Sequence, residues 1–257
     1  GVNSPYVEFP LRVRPYHIPE EMTAGETHWH EEVKLFSEHI VSRNQRWWMD
    51  GEATPWQGEL SEKTAGRLWA EKQGIQVPKL IWLGKELSDI PKLSELPNKV
   101  VIKPSKGFSS NNVLCLVDRK NILDGSIWND EKIQTNFSSD KFLDRVQPNW
   151  IVEEFLQPEA FREDEIIPRD WKFYCFGGEI ALIHVVLRKS EIDVHQNIHH
   201  YFSADLRQLQ RRVSRPKPVP EEPLYFPECW DEMVTQVKAL GKELGCFMRI
   251  DMYATSR

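Results

Sequence analysis

The chain has 257 residues, 40% hydrophobic and 28% charged, which excludes collagen, coiled coil and disorder as whole-chain readings. At ~150 residues per domain this length suits one large or two small domains, with enough chain to bury a core without disulfide or metal staples. The 33 Lys and Arg against 39 Asp and Glu give a net charge of −6, which argues against a broad nucleic-acid surface but allows a local basic cleft. No stretch of ~18 apolar residues is present, so no membrane span is expected. The chain opens on Gly1-Val2 without an initiator Met or a signal-peptide pattern, which reads as a tag scar or an internal fragment. Nothing in the sequence speaks to oligomeric state.

Residues 1–59 are interrupted by Pro5, Pro10, Pro15, Pro19 and Pro55, with one helix expected from Glu26 to Arg46. Trp47, Trp48 and Trp56 crowd this part; they suit packing or a stacking surface for a sugar or partner. Ser61 can cap a helix running to Gln73, with Ala65, Leu68 and Trp69 inward and Gly74 as the stop. Lys79–Leu83 and Lys99–Lys103 read as strands, and a polar loop from Pro104 to Asn112 joins the second to Val113–Val117 as a hairpin. Asp118–Pro148 reads as a less ordered, turn-rich stretch. Trp150–Leu156 is a strand with two acids, and Asp170–Phe176 and Glu179–Arg188 form a hairpin about Gly177-Gly178. Residues 189–226 read as a long loop or flap. Pro227 opens a helix to Leu244, ended by Gly245, and Cys246–Tyr253 is the last strand.

The cysteines Cys115, Cys175, Cys229 and Cys246 show no CxxC spacing and are expected to be reduced and structural. His28 and His30 have metal-like spacing, and His195, His199 and His200 form a second cluster, but neither has an evident third ligand, so solvated or packing roles are expected. Arg207, Arg211, Arg212, Arg215 and Lys217 make a basic run that suits either a solvated loop or an anionic ligand.

Several segments carry chemistry. In Lys103-Pro104-Ser105-Lys106-Gly107-Phe108-Ser109-Ser110 a lysine ends a strand and small residues follow, which suits either an ordinary hairpin or a flap over a polyphosphate; the GxxxxGK[ST] pattern is absent. In Ile151-Val152-Glu153-Glu154-Phe155-Leu156 acids interrupt an apolar strand and need partners. Such acids suit an edge strand beside a nucleotide, or a plain exposed edge. Alternation puts Asp170, Lys172 and Tyr174 on one face of their strand, as an anion site or a surface ion pair. Arg249 and Asp251 share a face of the last strand, where Asp251 can serve a magnesium ion or simply pair with Arg249.

The order of these pieces resembles the ATP-grasp superfamily, and the wording of Glu153-Glu154-Phe155, Asp170–Phe176 and Arg249–Tyr253 is most similar to the TupA-like branch, linked to teichuronopeptide and surface-polysaccharide synthesis. The resemblance covers roughly residues 60–257. It implies an α+β fold in which two α/β lobes with antiparallel sheets grip a nucleotide between them. The expected division is 1–59 as an N-terminal segment, 60–156 as the small lobe with hairpin and hinge strand, and 157–257 as the large lobe. It implies ATP and Mg²⁺ as cofactors, and a small-molecule, glycan or peptide acceptor in the cytoplasm.

Carried onto this sequence, Lys63 and Lys103 would contact ATP, with Lys63 also readable as an exposed first-turn residue. Gly107, Ser109 and Ser110 would cover the phosphates. Glu153, Glu154, Phe155 and Leu156 would form the hinge that reads adenine and ribose. Lys172 would touch a phosphate, Arg188 would stabilise the transferring phosphoryl group, and Asp251 would hold magnesium. The family pattern implies a further metal-binding Glu after the late aspartate, and Met252–Arg257 contains no acid. The chain is therefore expected either to be cut short or to build its metal site differently. The implied reaction is amide formation through an acyl phosphate; the alternatives are a kinase acting on a hydroxyl and a non-catalytic nucleotide-binding module.

Overall fold

A computed structural model describes residues 59–107, 112–159, 167–188, 197–209 and 224–255, with Gln45, Glu165 and Pro220. The expected helix Glu26–Arg46, the tryptophans before residue 59, His28, His30, His195 and the arginines 211, 212 and 215 lie outside the described residues, as do Ser109 and Ser110.

The first half builds a five-stranded antiparallel sheet from β1 (Leu80–Gly84), β2 (Lys99–Pro104), β3 (Leu114–Val117), β4 (Lys120–Asn121) and β5 (Trp150–Glu154), ordered β1-β5-β2-β3-β4. Strict alternation decides which face is covered. Val100 and Ile102 of β2, Leu114 and Leu116 of β3, and Trp150 and Val152 of β5 all point to one core. Two helices close it: α2 (Asp130–Ser138) with Ile133 and Phe137, and α3 (Lys141–Val146) with Leu143. Phe137 stacks on Trp150 at 4.8 Å. Each large side chain so buried contributes about 1.5–3 kcal/mol.

Three expectations need correction here. The turn-rich stretch 118–148 contains α2 and α3; their caps are Asn129, whose side chain accepts from Lys132 N at 2.7 Å, and Asp140, which accepts from Phe142 N at 2.8 Å. The strand with two acids is not an edge strand: β5 lies between β1 and β2. The helix before the sheet, α1 (Lys63–Lys72), is capped by Glu62 rather than Ser61, and it buries no residue; Leu68 is 56% exposed. Leu68 and Trp69 instead line a cavity of about 500 Å³ against Leu244.

The second half is a four-stranded antiparallel sheet, β6 (Asp170–Phe176), β7 (Glu179–Leu187), β8 (Ile198–Ser203) and β9 (Phe247–Met252), ordered β8-β7-β6-β9. The expected Gly177-Gly178 hairpin joins β6 to β7. Strand β8 lies within the stretch read as a flap. One sheet face carries Trp171, Phe173, Cys175, Ile183 and Val185, packed against Met233 and Val237 of α4 (Trp230–Leu244). Gly245 ends α4 in the left-handed region at φ +62°. Gly241 allows the closest approach: a Cβ there would sit 2.1 Å from the Gly177 carbonyl oxygen. No helix among the described residues is long and apolar enough to cross a membrane.

Candidate functional site

Each sheet has one packed face, and the opposite face carries the charge. In the first sheet the alternation that buries Val100 and Ile102 turns Lys103 the other way, and the same rule turns Glu153 of β5 to that side. Val101 pairs with Glu153 in register, so Lys103 and Glu153 are diagonal neighbours, and the Lys103 ammonium forms an ion pair with the Glu153 carboxylate. Arg67 of α1 approaches the other Glu153 oxygen at 3.9 Å. A carboxylate 7% exposed is thus served by cations from two elements, which is how an acid survives inside this sheet. Its neighbour Glu154 points elsewhere: it accepts from the Lys79 N–H at 2.5 Å, in the link to β1. Phe155 and Leu156 follow as irregular chain just after β5.

Lys63 joins the same group. Its ammonium donates to the Gly107 carbonyl at 3.2 Å, and its backbone N–H donates to Ser105 O at 3.1 Å. Desolvation, and then the nearby Lys103 charge, lower its pKa, as expected of a cation held among cations. Gly107 sits at φ +138°, a region that glycine enters without strain, and turns the chain just past β2. The Glu62 carboxylate caps α1 through Thr64 N and Ala65 N at 3.1 and 3.0 Å. Burial alone would raise its pKa, but hydrogen bonds from Thr64, Ser105 and the helix N–H groups outweigh this and lower it.

The second sheet brings a denser set together. Register places Lys172 opposite Asp251 of β9 and opposite His184 of β7, and His184 opposite Tyr201 of β8, in one row on the face away from α4. Lys172 donates to Asp251 at 3.0 Å and lies 3.5 Å from Asp170. Arg188 donates to the same Asp170 oxygen at 3.1 Å. Asp251 also accepts from Arg249 at 2.7 and 2.9 Å. Tyr253 neighbours Asp170; desolvation, then the Asp170 charge, raises its phenol pKa well above the ordinary range. At the other end of the row His184 Nε2 lies 2.9 Å from His199 Nδ1, and the His184 ring stacks on Tyr201 at 4.4 Å. Desolvation, reinforced by His199, Lys172 and Arg249, pushes His184 down to about 3, so it is neutral at physiological pH. Neither His184 nor the cross-strand link to His199 is evident from the sequence, because strand register alone creates it.

The thiol of Cys115, on β3, is pushed up to about 11 by burial and feels Arg188 and Asp170 from the second sheet as well as Lys103 and Glu153 from the first. Each open face therefore presents cations that could meet a polyanion. Lys63, Lys103, Gly107 and Glu153 fall on one side; Lys172, Arg188 and Asp251 fall on the other. Metal ligation is sparser. Among the described residues no three His, Cys, Asp or Glu side chains are grouped to hold an ion. Asp251, 36% exposed at its side chain against 7% for Asp170, is the more open of the two acids beside these cations.

The four cysteines are free thiols. No curated protein matches the sequence. Among solved structures, D-alanine–D-alanine ligase from Bacillus anthracis is similar at 16% identity and TM-score 0.44, covering 77% of this chain and 54% of that one. The ATP-grasp ligase PsnB with its minimal precursor is similar at 14% identity and TM-score 0.43, covering 85% and 56%. The biotin carboxylase domain of the Hydrogenobacter thermophilus 2-oxoglutarate carboxylase is similar at 13% identity and TM-score 0.39, covering 75% and 36%. The chain thus spans about half the length of the two ligases. The model of one family, TupA-like ATPgrasp, matches residues 46–257, and the chain belongs to that family.

Proposed function

We propose that the chain is the nucleotide-gripping body of an ATP-dependent ligase that joins a carboxylate to an amine. The observation that carries this reading is that each sheet leaves an open face on which a buried carboxylate holds a cation, Glu153 holding Lys103 and Asp170 holding Arg188. The division proposed is a small lobe over 60–156 and a large lobe over 157–257, after an N-terminal segment over 1–59.

In this reading Lys63 and Lys103 bind the phosphates from the first sheet. The turn at Gly107, with Ser109 and Ser110 after it, covers them and keeps water from the reactive carboxyl phosphate. Glu153, Glu154, Phe155 and Leu156 read adenine and ribose. Asp251 is the residue that would hold magnesium, with phosphate oxygens completing the shell; bound there, the metal supplies charge neutralisation. Lys172 and Arg188 neutralise charge as the substrate carboxylate oxygen bonds to the γ-phosphorus and the bond to ADP breaks. The amine then adds at the acyl carbon, phosphate leaves, and the amine proton passes to solvent. The protein needs no nucleophile of its own. A sugar acid, amino acid or peptide of surface-polysaccharide synthesis in the cytoplasm is the proposed substrate class.

Hydroxylamine trapping tests the reaction type. With Mg·ATP and a panel of sugar acids, amino acids and short peptides, a hydroxamate is the expected product. A stable phosphorylated hydroxyl with no hydroxamate would identify a kinase instead.

A further inference from the structure

We propose that Asp170 is a positioning residue that keeps Lys172 and Arg188 aimed together, so that the site distinguishes a triphosphate from shorter phosphate chains. This rests on the ATP-binding reading above and adds a residue to it.

The geometry is specific. Asp170 opens β6 and Arg188 follows the end of β7, and the pairing of Asp170 with Val186 brings the two together. One Asp170 oxygen lies 3.1 Å from the Arg188 guanidinium and 3.5 Å from the Lys172 ammonium, and Tyr253 is a further neighbour. The Asp170 side chain is 7% exposed, against 36% for Asp251, the other acid on Lys172.

The two acids therefore play different parts. Asp251 is open, shared with Arg249, and in the reading above would turn to a metal. Asp170 is enclosed and keeps its partners when Asp251 is taken. Without it, and with Asp251 turned to a metal, two cations with 17% and 19% exposed side chains would lose their shared acid and separate. Holding both in one geometry removes the entropy of ordering them on binding. The benefit falls on the phosphate they touch, not on adenine, ribose or the first phosphate.

Calorimetry on the full chain with Mg·ATP, Mg·ADP and AMP tests this, with Asp170→Asn and Asp170→Glu beside wild type. Asp170→Asn is expected to weaken Mg·ATP about tenfold while changing AMP less than twofold, and Asp170→Glu to restore part of the loss. A loss shared equally by all three nucleotides, or Mg·ATP bound as tightly as by wild type, would overturn the proposal. If Asp170→Asn does not fold, Tyr253→Phe decides, because it removes the phenol hydroxyl that neighbours Asp170 from a residue 46% exposed. A fall in ATP-over-AMP preference of about twofold or more supports the role, and an unchanged preference overturns it. Failure of wild type to bind Mg·ATP at all would overturn the functional reading itself, a distinct outcome.

Discussion

The two sheets solve the same problem with different amounts of charge. Each buries one face under helices and leaves the other for polar groups. In the first, that open face holds one compact group, Lys103 with Glu153, Arg67 and Lys63 nearby. In the second it holds a chain of contacts from Arg188 through Asp170, Lys172 and Asp251 to Arg249. The first group has no acid to spare: Glu153 is buried and fully engaged. The second has a buried acid and an open one. In the proposed reading both open faces bind the nucleotide, and the carboxylate that would turn to a metal lies on the second.

Substitutions on packed and open faces separate the two roles. The largest effect is expected at Phe137, 4% exposed and stacked on Trp150: Phe137→Ala should cost about 3–5 kcal/mol in denaturant unfolding. On the open face of the same sheet, Lys103→Ala should weaken Mg·ATP by about tenfold to a hundredfold in calorimetry, the worth of a charge-assisted hydrogen bond. An equal loss of Mg·ATP affinity in folded Phe137→Ala would erase the distinction between faces. In the second sheet Gly241→Ala forces a Cβ against the Gly177 carbonyl and should cost about 1–3 kcal/mol, read as a lowered melting temperature.

A smaller, pH-dependent effect is expected at His184. Its folded pKa lies below the unfolded value, so the unfolded chain binds the extra proton. Its contribution is complete above the ordinary imidazole range of about 6.5 and is lost as pH falls toward about 3. Urea unfolding of His184→Gln should lose less stability between neutral and acid pH than wild type does. The smallest effect is expected at Leu68, which is exposed on α1: Leu68→Ala should change stability by under about 0.5 kcal/mol.

The hairpins and α4 were legible because periodicity and turn chemistry agree. Alternation in Asp170–Phe176 separates Trp171, Phe173 and Cys175 from Lys172 and Tyr174, and Gly177-Gly178 closes the turn. Helices α2 and α3 were not legible because they are short and polar, with few apolar residues to set a period; the capping residues Asn129 and Asp140 were the available signal. The edge placement of β5 failed because its acids suggested water, whereas Glu153 and Glu154 find Lys103 and the Lys79 N–H within the fold. The residues of the second site were legible one at a time. Their connections were not, since Lys172 meets Asp251 across 79 positions of chain and only strand register brings them together.

The central claim is that these facing cations bind a nucleoside triphosphate. Titrating Mg·ATP into the full chain by isothermal calorimetry tests it most directly. Saturable one-to-one binding, weakened in Lys103→Ala and again in Asp170→Asn, is the predicted result. An absence of saturable heat up to about 1 mM Mg·ATP, where even a weak specific site would fill, would contradict it.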